Sequence, residues 1–250
     1  MGQVAGNAAA EEARRLVGEA EKGGLKLRLL GGVAVLLHCH SEAAWEFLGR
    51  DYVDLDFVAL SKEVPAITRF FTEMGYEPHK RFNAVMGDQR LLFSSQRSVD
   101  HIDVILDKFH MCHAWDLRPR LGADSPTLPL ADLLLSKLQV VELTEKDIKD
   151  TCLLLLHHHL GPSDDNEINR AYLADRLGND WGLWRTATGN IQKVLDYLAG
   201  VSFAQRDLIE ERLRALQALA ERTPKTLRWK ARAAVGEKVK WYELPGDVKR

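Results

Sequence analysis

The chain has few cysteines, no paired-cysteine motif and no long apolar run. Three of its 250 residues are cysteine (Cys39, Cys112 and Cys152), and none stands in CxxC spacing. An odd set of widely spaced thiols predicts reduced cysteines in a cytosolic protein and argues against a disulfide framework. The apolar stretches are short or broken: residues 29–37 are interrupted by Gly31-Gly32, and residues 153–156 are too few. A membrane span needs about 20 such residues, so no membrane partner is expected. No basic segment leads into an apolar one near Met1, so no signal peptide is expected and the predicted location is cytoplasmic. Also missing are the GxGxxG fingerprint, whose absence disfavours a Rossmann-type dinucleotide binder, and the GxxxxGK phosphate loop. There is no fixed-period repeat and no low-complexity tract.

What is present is the composition of an ordinary globular protein, 46% hydrophobic and 28% charged. A chain of this length can bury one good core and carry a smaller helical appendage. The net charge of −2 argues against indiscriminate coating of nucleic acid but allows a local basic patch. Strand signals crowd the first half, at residues 25–30, 52–60, 90–94 and 101–106, with helical patterns at 8–21, 33–48 and 65–74. From Leu130 onward the pattern is helical, over 130–143, 145–159, 166–177, 191–198 and 203–221. Strands first and helices afterwards predict an α+β fold with a helical second lobe.

Within residues 52–60, Val53, Leu55 and Phe57 alternate with Tyr52, Asp54 and Asp56. Residues i and i+2 of a strand project from one face, so the carboxylates of Asp54 and Asp56 are expected to point the same way. Like charges held that close stay ionised only beside a cation. Magnesium, which takes one or two carboxylates together with phosphate oxygens, suits the pair. A solvated polar face is the plainer reading, but the apolar residues around the pair make idle acids there costly. Asp103 is the single acid at the centre of the strand 101–106. On a neighbouring strand it would complete the metal set, or take the proton of an attacking hydroxyl. Asp100 and Asp107 are its rivals, one near the turn and the other at the strand's end. Gly31-Gly32 falls between a strand and a helix, where free backbone amides can hold an anion and glycine lets a phosphate approach closely.

Leu30-Gly31-Gly32-Val33-Ala34, followed by Arg50-Asp51-Tyr52-Val53-Asp54-Leu55-Asp56-Phe57, resembles the signature of the minimal nucleotidyltransferases of the polymerase-beta superfamily. Within it, the chain is most similar to the toxin-type and uncharacterised bacterial enzymes related to AbiEii. The resemblance implies an α+β, nucleotidyltransferase-like mixed sheet with flanking helices, followed by a helical C-terminal lobe. It implies that Gly31 and Gly32 hold the triphosphate, that Asp54 and Asp56 bind Mg2+, and that Asp103 is the third acid. Arg50 matches an arginine that this branch often carries four positions before the first acid, and Tyr52 replaces its usual threonine. Residues 130–138, followed by Lys146-Asp147-Ile148-Lys149-Asp150, resemble the family's lysine-bearing helix and its later KDxxD motif. By that resemblance Lys137 reaches nucleotide phosphates, while Asp147 and Asp150 fix the helices or the site. The expected organisation is a nucleotidyltransferase core over 1–125, a helical lobe over 126–222 and a basic tail over 223–250.

The expected activity is magnesium-dependent transfer of a nucleoside monophosphate from an NTP to a hydroxyl of RNA, a protein or a small molecule. An antitoxin partner is implied if the chain is the toxin of a toxin–antitoxin pair. The other reading is a catalytically inactive nucleotide-binding or regulatory module of the same fold. Weaker constellations surround these. His38-Cys39-His40 and His110-Met111-Cys112-His113 lack the paired spacing of structural zinc modules, and His157-His158-His159 suits a helix end. Trp181 and Trp184 read as core or interface residues. Residues 225–250 carry eight Lys or Arg against three acids and interleave Trp229, Trp241 and Tyr242. That pattern suits a nucleic-acid backbone or, more plainly, a charged face anchored by aromatics.

Overall fold

The computed structural model describes residues 2–39, 49, 51, 52, 54–95 and 101–244, with side chains from residue 8 onward. The chain is α+β and separates into two compact units. The first comprises the described residues of Met1–Ser41, Gly49–Phe109 and Trp115–Pro129, and the second those of His110–Ala114 and Leu130–Arg250.

The first unit is built on strands β1 (Arg28–Leu30), β2 (Leu55–Ala59), β3 (Glu77–Pro78), β4 (Arg90–Ser94) and β5 (His101–Leu106). They form one mixed sheet in the order β1-β2-β5-β4-β3, parallel only between β2 and β5. The expected strands 90–94 and 101–106 form over those residues. The acidic strand begins only at Leu55, leaving Tyr52 outside it and fully buried. The period-2 alternation sends Leu29, Leu55, Phe57, Leu91, Phe93, Ile102 and Val104 to one face, where each is nearly or wholly buried.

Helix α1 (Gly2–Lys22) buries Ala9, Ala13, Leu16, Val17 and Ala20, the stripe of an amphipathic helix. Helix α2 (Gly31–Leu37) follows β1 directly. The chain right after β2 makes a single 3-10 turn and then forms α3 (Val64–Glu73), with Pro65 in the first turn, where its missing N–H costs nothing. Phe71 of α3 is fully buried, with ring centroids 4.7 Å from Phe93, 5.9 Å from Phe57 and 6.1 Å from Tyr76. This aromatic cluster holds α3 to the apolar face of the sheet. The short helix α4 (Lys80–Met86), not apparent in the sequence, starts with the His79 imidazole accepting from the Phe82 amide. Strands β6 (Lys108–His110) and β7 (Ala114–Asp116) form a separate ribbon that the sequence also did not announce.

In the second unit, helices α5 (Leu130–Leu138), α6 (Glu145–His157), α7 (Arg170–Asn179), α8 (Trp181–Ala199), α9 (Arg206–Arg222) and α10 (Leu227–Val235) surround a leucine-rich core. Every residue of α5 is buried. Helix α6 opens with a capping box in which Thr144 and Asp147 satisfy each other's amides. Helix α8 begins at Trp181, well before the expected 191–198 pattern, with Asp180 accepting from the Leu183 amide as its cap. Helix α10 falls in the segment expected to be a basic tail and is capped by Thr226. The cysteines form no disulfide, and burial pushes the Cys152 thiol up to about 12. Among the described residues no helix is long and apolar enough to cross a membrane. Removing the Phe71 ring should cost about 3–5 kcal/mol. Urea unfolding of Phe71→Ala, compared with an exposed control such as Val85→Ala, measures it.

Candidate functional site

The face of the sheet opposite Phe71 is where the polar residues gather. β1 and β2 pair antiparallel with Leu30 opposite Asp56, and the next residue, Gly31, opens α2 at φ +74°. That left-handed conformation favours glycine. A second constraint is spatial, since a Cβ at Gly31 would stand 2.0 Å from the Asp56 carboxylate oxygen. The turn therefore needs Gly31 both for its backbone and to make room for Asp56. Gly32 is the second residue of α2 and is half-buried.

Parallel pairing of β2 and β5 sets Asp56 opposite Asp103, so these two carboxylates share a face on adjacent strands. Asp54 lies just ahead of β2 and is exposed. Among the described residues, no three His, Cys, Asp or Glu side chains form a group that could hold a metal ion. The structure thus joins Asp56 to Asp103 without gathering Asp54, Asp56 and Asp103 into one cluster. Of the rivals, Asp107 is committed to a turn: its carboxylate accepts from the Ser61 amide at 3.0 Å and the Ser61 hydroxyl at 2.6 Å. Asp100 and Arg50 lie outside the described residues, as do Val53 and His40.

Sequence reasoning missed Arg90. On β4, Leu92 pairs with Asp103 and Arg90 with Ile105, which puts Arg90 on the acidic face. Its Nε donates to both Asp103 oxygens, at 2.7 and 2.9 Å, and Nη2 donates to Oδ2. Hydrogen bonding to Asp103 holds the guanidinium above its ordinary pKa, with the Asp56 charge adding to it and burial opposing it. The signal available was an arginine opening an apolar strand that a short polar segment separates from the strand bearing Asp103.

Lys137 belongs to the second unit. It is 9% exposed, and its Nζ lies 2.8 Å from Oδ2 of the fully buried Asp150 and 4.0 Å from Asp147. The KDxxD acids thus hold a lysine on the neighbouring helix, and Asp147 also caps α6.

The weaker constellations resolve as packing. In the second unit, His110, Cys112, His113, Arg232, Lys240 and Trp241 help line an open groove of about 420 Å³. There His110 pairs with Glu243, and His113 shares a hydrogen bond with Thr186. Burial pushes the His113 imidazole below the usual histidine range. The aromatics of the C-terminal segment are engaged within the unit: Trp241 packs on Trp181 and donates to Thr186, Arg232 stacks over Trp181, and Lys225 lies between Trp184 and Trp229. Arg228, Lys230, Lys238 and Lys240 remain exposed.

No protein-family model and no curated protein matches this chain.

Two stability measurements probe these contacts. Gly31→Ala forces a left-handed alanine, which should cost about 1–2 kcal/mol before any displacement of Asp56 is counted. Lys137→Ala removes the ammonium 2.8 Å from the buried Asp150 and should lose about 3–5 kcal/mol, whereas Lys137→Met/Asp150→Leu should recover most of the loss. Denaturant midpoints of the three variants decide both.

Proposed function

We propose that the chain is a magnesium-dependent nucleotidyltransferase whose site is the polar face of the first unit. The observation that carries this reading is the close fit of the Asp56 carboxylate against Gly31, at a strand-to-helix turn and beside a second acidic strand position. A turn that excludes even a methyl group in order to admit a carboxylate fits a site where phosphates and their cation meet. The donor chemistry also fits, because Asp54 and Asp56 offer two hard carboxylate ligands and phosphate oxygens or water can fill the rest of an octahedral shell.

On this reading Asp54 and Asp56 hold Mg2+, and Gly31 and Gly32 admit the triphosphate to the main chain. Bound magnesium supplies neutralisation of the phosphate charge. The acceptor hydroxyl passes its proton to solvent water, its oxygen bonds to the α-phosphorus, and the bond to the departing pyrophosphate breaks. Holding both reactants in line and keeping charge matched is most of what the protein contributes. The excess of Lys and Arg over residues 225–250 and the resemblance to toxin-type enzymes favour RNA as the acceptor over a small molecule. The roles of Arg50 and Lys137 as nucleotide contacts, and an antitoxin as partner, rest on the sequence resemblance. A non-catalytic nucleotide-binding module is the second reading, favoured by the engagement of both Asp103 oxygens with Arg90.

Incubation with each α-labelled NTP, Mg2+ and total cellular RNA or lysate tests the proposal. Wild type should transfer label, and Asp54→Ala/Asp56→Ala should reduce transfer by at least about 1,000-fold, the scale expected when charge stabilisation is removed from a transition state. Transfer that survives in the double variant rejects the site. Nucleotide binding without transfer selects the second reading.

A further inference from the structure

We propose that Arg90 is a phosphate-binding residue of this site and that Asp103 is its positioning residue rather than a metal ligand. The inference rests on the nucleotide reading above and deepens it.

The hydrogen-bond pattern is the starting point. Both oxygens of Asp103 accept from one guanidinium, through Nε and Nη2. A planar guanidinium has five N–H donors in fixed directions. Gripping its Nε edge fixes where the remaining donors lie, and among the described residues the Nη1 of Arg90 has no hydrogen-bond partner. The Arg90 side chain is 32% exposed and that of Asp103 16%, so the solvent-facing member of the pair is the cation.

Placement adds the second argument. Asp103 is the register partner of Asp56, and Leu92, two residues from Arg90, is the register partner of Asp103. The guanidinium therefore belongs to the same sheet face as Asp56, the carboxylate that abuts Gly31. Phosphates brought to that carboxylate by a divalent ion would meet Arg90 as a neighbouring cation. Guanidinium donors match phosphate oxygens two at a time, which an ammonium cannot reproduce.

The alternative places Asp103 in the metal shell. A metal ion on Asp103 would be confined to the lone pair that the three charge-assisted contacts leave open and would stand beside the guanidinium, two like charges on one patch. Leaving Asp103 to Arg90 alone avoids that repulsion and restricts the metal to Asp54 and Asp56, a set magnesium accepts.

The test uses the full chain and three measurements: Mn2+ binding by electron paramagnetic resonance, and affinities for each nucleoside triphosphate and for its matching nucleoside. The variants are Arg90→Gln, Arg90→Lys and Asp103→Asn, each checked by thermal unfolding. Arg90→Gln should weaken triphosphate binding roughly tenfold or more and leave nucleoside and Mn2+ binding unchanged. The triphosphate-to-nucleoside affinity ratio therefore collapses, which a purely structural role would not produce because both ligands are measured on the same folded sample. Arg90→Lys should recover only part of the ratio. Asp103→Asn should lower it by less than Arg90→Gln does, with Mn2+ binding retained. An unchanged ratio in Arg90→Gln overturns the proposal, as does loss of Mn2+ binding in a folded Asp103→Asn. Wild type that binds neither Mn2+ nor any triphosphate overturns the nucleotide reading itself, and this inference with it.

Discussion

The parallel pairing of β2 with β5 is the constraint on which the polar face depends. It sets Asp56 beside Asp103. At the spacing of neighbouring strands, two carboxylates about 5 Å apart repel by about 3 kcal/mol at an effective dielectric of 20. A sheet that accepts this repulsion needs a cation, and the antiparallel neighbour β4 supplies one in Arg90. The pairing is fixed from the other side of the sheet. Phe57, Phe71, Phe93 and Tyr76 interlock there, and slipping a strand by one residue would carry its buried side chains into the polar face. Core packing and site electrostatics are thus one problem solved on two faces.

The same logic explains what could be seen in the sequence. Asp54, Asp56 and Asp103 stood out because isolated acids in apolar strands are costly, and the two strands formed where alternation predicted them, with β2 shorter. Gly31-Gly32 was visible as a turn, but not the contact that makes Gly31 obligatory, since that depends on which strand pairs with β1. Arg90 was overlooked for a related reason. A single arginine at a strand end is a weak local signal, and its importance comes from a register between residues 13 apart. Tyr52 looked like part of the acidic strand's polar face and is instead buried, because β2 starts at Leu55 and Tyr52 lies outside its alternation.

In the second unit, helices were legible where leucine periodicity was strong, as in α5 and α6. They were missed where capping and aromatic packing do the work. Helix α10 has no buried residue, so no core-facing periodicity announced it. The basic and aromatic pattern of the C-terminal segment suggested a surface for nucleic acid. Its rings are spent on the unit itself, stacked with Trp181, Trp184 and their cations, and only the exposed lysines and arginines remain for a partner. Lys137 shows the converse: the resemblance singled it out as a phosphate contact, and a fully buried aspartate on the next helix holds its ammonium, a pairing that only the packing of two helices reveals.

The central claim, that the face carrying Gly31, Asp56 and Asp103 receives a metal–nucleotide complex, is tested most directly by paramagnetic broadening. In amide spectra of the isotope-labelled protein, a Mn2+–nucleoside triphosphate complex should broaden Gly31, Gly32, Asp56 and Asp103 first, leaving the apolar-face residues Phe71 and Phe93 less affected. Broadening confined to the groove around His113 and Trp241, or the absence of any broadening at saturating complex, would contradict it.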